Sequence, residues 1–190
     1  MANDSCCICL DDFSSTLHDV KELKCKHKFH VHCIEQALKQ KSFCPMCNTP
    51  VGAPCGNQPL GGRMTWSMNN RIHLPGYDNF GAIVIRYSFS GGTQQHNHPH
   101  PGQRYSGTTR IAYLPDSHEG QEVLALLTRA FDARLIFTVG RSITSGRDNQ
   151  ITWNDIHHKT RTHGGAHGYG YPDPEYLKRV KEDLRAKGIY

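Results

Sequence analysis

Between Cys6 and Cys47 the chain sets out eight metal donors in four close pairs: Cys6-x2-Cys9, Cys25-x-His27, His30-x2-Cys33 and Cys44-x2-Cys47. A pair this close lets one tight turn present two donors to adjacent corners of a tetrahedron, and two pairs complete the shell of a zinc ion. Four pairs predict two zinc ions. Only Cys6 keeps the x2 step to Cys9, which sets Cys7 aside, and only His30 keeps the x2 step to Cys33, which leaves His18 and His32 as surface imidazoles. Seven of the eight cysteines lie in this stretch, with Cys55 beyond it. The start, Met1-Ala2-Asn3-Asp4-Ser5, lacks the basic and apolar regions of a secretory signal. Metal in a reducing compartment, cytoplasmic and nuclear, is therefore expected in place of a disulfide framework.

The ligand order resembles the RING-H2 pattern. That resemblance implies a cross-brace, with Cys6, Cys9, His30 and Cys33 on one ion and Cys25, His27, Cys44 and Cys47 on the other. Ile34, Ala37 and Leu38 recur at helical spacing and predict a short amphipathic helix over 34–41, between the third and fourth pairs. In RING domains that helix and the two zinc loops form the groove for a ubiquitin-conjugating enzyme (E2). The matching positions are Ile8, Leu38 and Pro45, with packing in a small core as the other reading of Ile8 and Leu38. Many RING ligases carry a basic residue after the last ligand that pins the donor ubiquitin, and this chain has Asn48 there.

Around these donors the composition divides the chain. The Pro- and Gly-rich run from Asn48 to Gly62 reads as a boundary, giving residues 1–53 to a zinc domain and 54–190 to a second domain. Six Lys/Arg balance six Asp/Glu in the first, so the whole excess of +5 belongs to the second, together with nine of the thirteen histidines. A modestly basic domain favours anionic partners such as phosphates or nucleic acid, or simply has a solvated surface. No apolar run approaches the length of a membrane span, and no membrane partner is expected.

In the second domain Ala82–Phe89 and Leu135–Val139 read as strands, with Thr109–Leu114 and Ile151–Trp153 as weaker ones. A helix over 117–133 buries Val123, Leu127, Ala130 and Phe131. Another starts with Asp173 as N-cap and Pro174 in the first turn, buries Leu177, Val180 and Leu184, and ends before Gly188. The fold class is α+β. Two long polar segments, 90–108 and 141–170, carry the His96/His98/His100, His157/His158 and His163/His167 clusters. Loops of that length are often functional. A third metal site is disfavoured there, because no cysteine accompanies the histidines.

The stretches GNQP at 56–59, LPGY at 74–77, AYLPD at 112–116, LIFTVG at 135–140, WNDIHHKT at 153–160 and GYPDPEYL at 170–177 resemble the C-terminal domain of deltex proteins, where a RING directly precedes that domain. The resemblance implies an E3 ubiquitin ligase that works with a ubiquitin-charged E2 and binds ADP-ribose or NAD. It would direct ubiquitin to ADP-ribosylated proteins or to a ribose hydroxyl of the ADP-ribosyl group, with nucleic acid as a second anionic class. By position, His157 and the loop 142–146, including Ser142 and Thr144, match the family's ligand-binding places. Trp153, Tyr169 or Tyr171 could stack on adenine or line the pocket. Without the resemblance, Trp153 reads as core packing ahead of ligand binding.

A hydroxyl acceptor must lose its proton as it attacks, which calls for a general base. The family uses a His and a Glu. Anchored on Tyr171-Pro172-Asp173-Pro174, those positions fall here on Tyr169 and Asp183. Tyrosine is a poor base near neutral pH. His167 stands two residues away as a substitute, while Asp183 reads either as the carboxylate of this chemistry or as a helix-surface partner of Arg179 or Lys187. A ligase with its own nucleophilic cysteine is disfavoured, since only Cys7 and Cys55 are free of the zinc pattern and neither has a histidine partner in the sequence nearby.

Overall fold

The computed structural model describes residues 5–13, 20–40, 43–49, 51–52, 55–142 and 146–190. The chain divides into two compact units, Met1–Cys55 and Gly56–Tyr190.

In the first unit β1 (Val20–Glu22) pairs antiparallel with β2 (Lys28–His30), and α1 (Val31–Gln40) follows directly. The helix begins three residues before the predicted start, so Cys33 sits in its first turn. Among the described residues only Leu23, Phe29 and Ile34 are buried apolar side chains other than cysteine. So small a core leaves most of the folding free energy to metal.

The two cysteine knuckles of this unit repeat one backbone solution. Leu10 N–H donates to Cys6 O over 2.7 Å, and Asn48 N–H donates to Cys44 O over 2.9 Å. Both turn-ending residues are left-handed, at φ 68° for Leu10 and 53° for Asn48. Asparagine adopts that conformation readily, whereas leucine rarely does.

The second unit is built on an antiparallel sheet in the order β3 (Arg63–Asn69), β4 (Ala82–Phe89) and β7 (Thr108–Pro115). Between β4 and β7 run the short hairpin strands β5 (Gly92–Thr93) and β6 (Arg104–Tyr105). After β7 come α2 (His118–Asp132), the hairpin β8 (Phe137–Gly140) and β9 (Gln150–Trp153), and α3 (Tyr176–Ala186). Ser117 caps α2, its hydroxyl accepting from Gly120 N–H over 3.2 Å. Gly120 is required, because a Cβ there would lie 1.9 Å from Pro115 O. The predicted stripes of both helices are all buried. Gln58 of the GNQP stretch is buried too, donating to Phe131 O and accepting from Phe137 N–H.

Three expectations change. The strand β3 carries no strand signal in the sequence: it is an edge strand with Trp66 and Met68 exposed, so it lacks the buried run that marks β4. The segment 90–108 contains a hairpin, and its His98 is buried, bonded through Nε2 to Asn57 O at 2.7 Å. Asp173 does not cap α3. The helix starts at Tyr176 after Glu175, and the Asp173 carboxylate is buried in ion pairs.

Candidate functional site

Two groups of donors form in the first unit. Cys6, Cys9, His30 and Cys33 bring their ligand atoms within 4.8 Å of one another, and so do Cys25, His27, Cys44 and Cys47. No third grouping of this kind occurs among the described residues. Cys9 Sγ lies 3.3 Å from His30 Nδ1, and Cys44 Sγ lies 3.6 Å from His27 Nδ1. A tetrahedral zinc with ordinary Zn–S and Zn–N bonds sets such an edge at about 3.5 Å. The donor sets therefore fit two zinc ions in the interleaved arrangement. Backbone N–H groups favour this state at Cys6: burial opposes its thiolate, yet hydrogen bonds from His30, Ile8 and Cys9 bring the thiol down to about 6. Neither Cys7 nor His32 belongs to a group, although His32 Nε2 approaches Cys33 Sγ at 3.2 Å. His18 lies outside the described residues. On the surface of this unit Ile8 and Pro45 are exposed, and Leu38 is half-buried against the small core.

The second unit assembles a different centre from the segment after β9 and from α3. Beyond Trp153 the chain turns inwards at Ile156 and His158, both buried, and outwards at His157. His157 Nδ1 lies 2.6 Å from Asp183 Oδ2, and the His157 backbone N–H donates to the same oxygen over 2.9 Å. Tyr176 on α3 donates its hydroxyl to His157 O. An ionised carboxylate only accepts, so Nδ1 carries the proton and the Nε2 lone pair is left available. The imidazole is 61 % exposed and the carboxylate 22 %. Proton-abstracting sites orient an imidazole against a carboxylate in this way.

Neither of the helix partners expected for Asp183 forms an ion pair with its carboxylate. Lys187 pairs with Asp155 at 2.6 Å, and Arg179 pairs with Asp173 at 2.5 Å. The imidazole beside Asp183 is His157, not His167, which is exposed elsewhere on the loop 160–171. Within that loop Tyr169 is 67 % exposed at φ 57°, and its carbonyl accepts from the N–H groups of Thr160 and Arg161. Gly170 packs so tightly that a Cβ would meet His163 O at 1.9 Å.

The remaining expected ligand residues divide. Tyr171 is fully buried and donates its hydroxyl to Tyr113 O over 2.9 Å. It has no face to offer a ligand, which corrects the expectation that it lines a pocket. Trp153 is half-buried and stacks on Phe137 at 4.5 Å and on His158 at 4.3 Å. Ser142 is half-buried and its N–H donates to Arg147 O, and Thr144 lies outside the described residues. His158, unremarked in the sequence beyond its cluster, holds this aromatic group together. Its Nδ1 faces Ile156 O and its Nε2 faces Tyr87 OH, each at 2.9 Å.

Comparison with known proteins finds one family match in each unit. The family model described as Deltex C-terminal domain matches residues 55–189, and the one described as Ring finger domain matches 4–48. The human protein named "Probable E3 ubiquitin-protein ligase DTX3" is 54 % identical over 186 residues, covering 97 % of this chain and 52 % of that protein. Mouse "E3 ubiquitin-protein ligase DTX4" is 40 % identical over 173 residues, 87 % of this chain and 28 % of its own length. The Xenopus laevis "E3 ubiquitin-protein ligase DTX1" is 39 % identical over 173 residues, with 87 % and 27 % covered. The chain thus spans about half the length of the first of these relatives and less of the others.

Proposed function

The chain belongs to the deltex family, and on that premise we propose that it is a RING-type E3 ubiquitin ligase that directs ubiquitin to ADP-ribosylated acceptors. The two zinc groups support a platform for a ubiquitin-charged E2, with Ile8, Leu38 and Pro45 as its contact positions. The second unit binds the acceptor, and its basic balance suits the pyrophosphate of ADP-ribose or NAD. Ser142, Thr144, Trp153 and His157 are the residues assigned to that ligand. Nucleic acid and ADP-ribosylated proteins are the macromolecular forms such an acceptor can take.

The observation that carries the reading is the contact between His157 and Asp183. A ribose hydroxyl is far too weak an acid to attack a thioester unaided. Here Nε2 of His157 takes the hydroxyl proton as the oxygen attacks the carbonyl of the ubiquitin C-terminus. The C–O bond forms, the C–S bond breaks, and the E2 cysteine leaves as thiolate. Asp183 fixes the imidazole tautomer and offsets the charge that the ring acquires. Tyr169, at the family's histidine position, is exposed and serves as a hydrogen-bond donor or stacking ring and not as the base.

Reconstitution with ubiquitin, E1, a charged E2 and ADP-ribose tests the proposal, with hydroxylamine distinguishing ester from amide products. Hydroxylamine-sensitive ubiquitin on ADP-ribose is the expected result. Absence of transfer to both protein and ADP-ribose overturns it. Binding of ADP-ribose without discharge of the E2 thioester makes the chain an adaptor instead.

A further inference from the structure

Asp173 has no part in the proton transfer described above, yet it is among the most buried charges in the second unit, at 4 % exposure. Its Oδ2 accepts from Lys159 Nζ and from Arg179, each at 2.5 Å. Lys159 is equally buried, with its ammonium 5.3 Å from the centre of the Tyr176 ring. Burial alone would raise the Asp173 carboxyl, but the hydrogen bonds from Arg179 and Lys159 hold it below its usual range. A buried ion cluster of this kind is weak evidence for stability, because desolvation cancels much of its Coulomb attraction. What it does supply is fixed geometry.

The geometry in question is that of the base. Lys159 lies two residues beyond His157, and its carbonyl accepts from Tyr113 N–H on β7 over 2.8 Å. Arg179 lies one helical turn before Asp183 on α3. One carboxylate therefore ties the segment after β9 that carries the imidazole to the helix that carries its partner. We propose that Asp173 is a positioning residue: through Lys159 and Arg179 it sets the separation of His157 and Asp183, and so the tautomer of the imidazole. The inference rests on the proposed hydroxyl chemistry for its purpose but not for its test.

The test reads the ring nitrogens of His157 by 15N NMR in the full chain with zinc bound, against the amide signals of β4 as a report on the fold. Asp173→Asn is expected to abolish the Nδ1–H signature of His157 while the β4 signals stay in place. Lys159→Met/Asp173→Leu removes both charges, and the same loss is expected. In both variants ester formation on ADP-ribose falls about 100-fold, the scale of a misplaced catalytic group, while transfer to lysine is retained. An unchanged His157 signature in either folded variant overturns the proposal. Collapse of the β4 signals in both variants makes Asp173 a folding residue of the whole unit and overturns it too. If wild type makes no ester while the variants still lose the His157 signature, the functional reading fails and the positioning role stands.

Discussion

His157 and Asp183 lie 26 positions apart in the chain, yet Nδ1 of one sits 2.6 Å from Oδ2 of the other. Removal of either group should slow ester formation on a ribose hydroxyl by about 10²–10⁴-fold, the usual contribution of a positioned base. His157→Ala and Asp183→Ala are expected to share that loss, and the double variant to lose little more, because the two act as a unit. Asp183→Asn should behave like Asp183→Ala, since the amide can turn a donor towards Nδ1 and reverse the tautomer. Transfer to lysine, which needs less help, should survive. Quantifying hydroxylamine-sensitive and resistant products separately checks this, and equal loss of both products would refute the assignment.

Zinc should be the folding energy of the first unit and irrelevant to the second. Both tryptophans, Trp66 and Trp153, lie beyond residue 55, so their fluorescence reports only on the second unit. A strong chelator is expected to release two zinc ions per chain and abolish discharge of the charged E2, with tryptophan emission unchanged. His30→Ala should lower the zinc content, whereas Cys7→Ser and His32→Ala should each retain two ions. Colorimetric zinc titration with parallel fluorescence decides it.

Sequence separation governs what could be read in advance. All eight zinc ligands were legible because each pair is closed by a local turn, as at Cys44 and Asn48. The helix α2 was legible because Ser117 and its apolar stripe lie within one segment. By contrast, His157 and Asp183 were each singled out but not joined, since packing of α3 against a distant segment brings them together. Asp173 carried the local signature of a helix cap, which the longer-range attraction of Lys159 and Arg179 overrode. Tyr171 shows the same limit: an aromatic beside a glycine-rich loop can face a ligand or the core, and only its bond to Tyr113 O decides.

Acid should weaken the second unit through His158. Burial pushes its pKa down to about 4, outweighing the favourable Ile156 carbonyl. Unfolded histidine titrates near about 6.5, so between these values the unfolded state binds more protons and stability falls as pH falls. The slope is about 1.4 kcal/mol per pH unit, roughly 3 kcal/mol over the window. Asp173, with its carboxyl depressed, adds a further loss below about pH 5, where its unfolded form begins to protonate. Denaturant titrations followed by tryptophan fluorescence at pH 7, 5.5 and 4.5 measure the slope. Tyr87→Phe/His158→Leu, which removes both partners of the buried hydrogen bond, should flatten it.

Asn48 stands where many RING domains place the basic residue that holds the donor ubiquitin against the E2. Its φ of 53° and its N–H bond to Cys44 O show what the position asks of the backbone. Asparagine meets that demand at little cost, whereas arginine in the left-handed region costs roughly 1–2 kcal/mol. The zinc bonds to Cys44 and Cys47 hold the knuckle closed, so Asn48→Arg should still bind two ions. It should then speed discharge of the charged E2 to free lysine, because the new guanidinium projects from an exposed turn. Asn48→Gly keeps the backbone without the side chain and should leave the rate unchanged. Single-turnover discharge of the three proteins, at equal zinc content, separates the effects. An Asn48→Arg chain that binds two zinc ions and discharges no faster would mean that donor ubiquitin is held by other residues here.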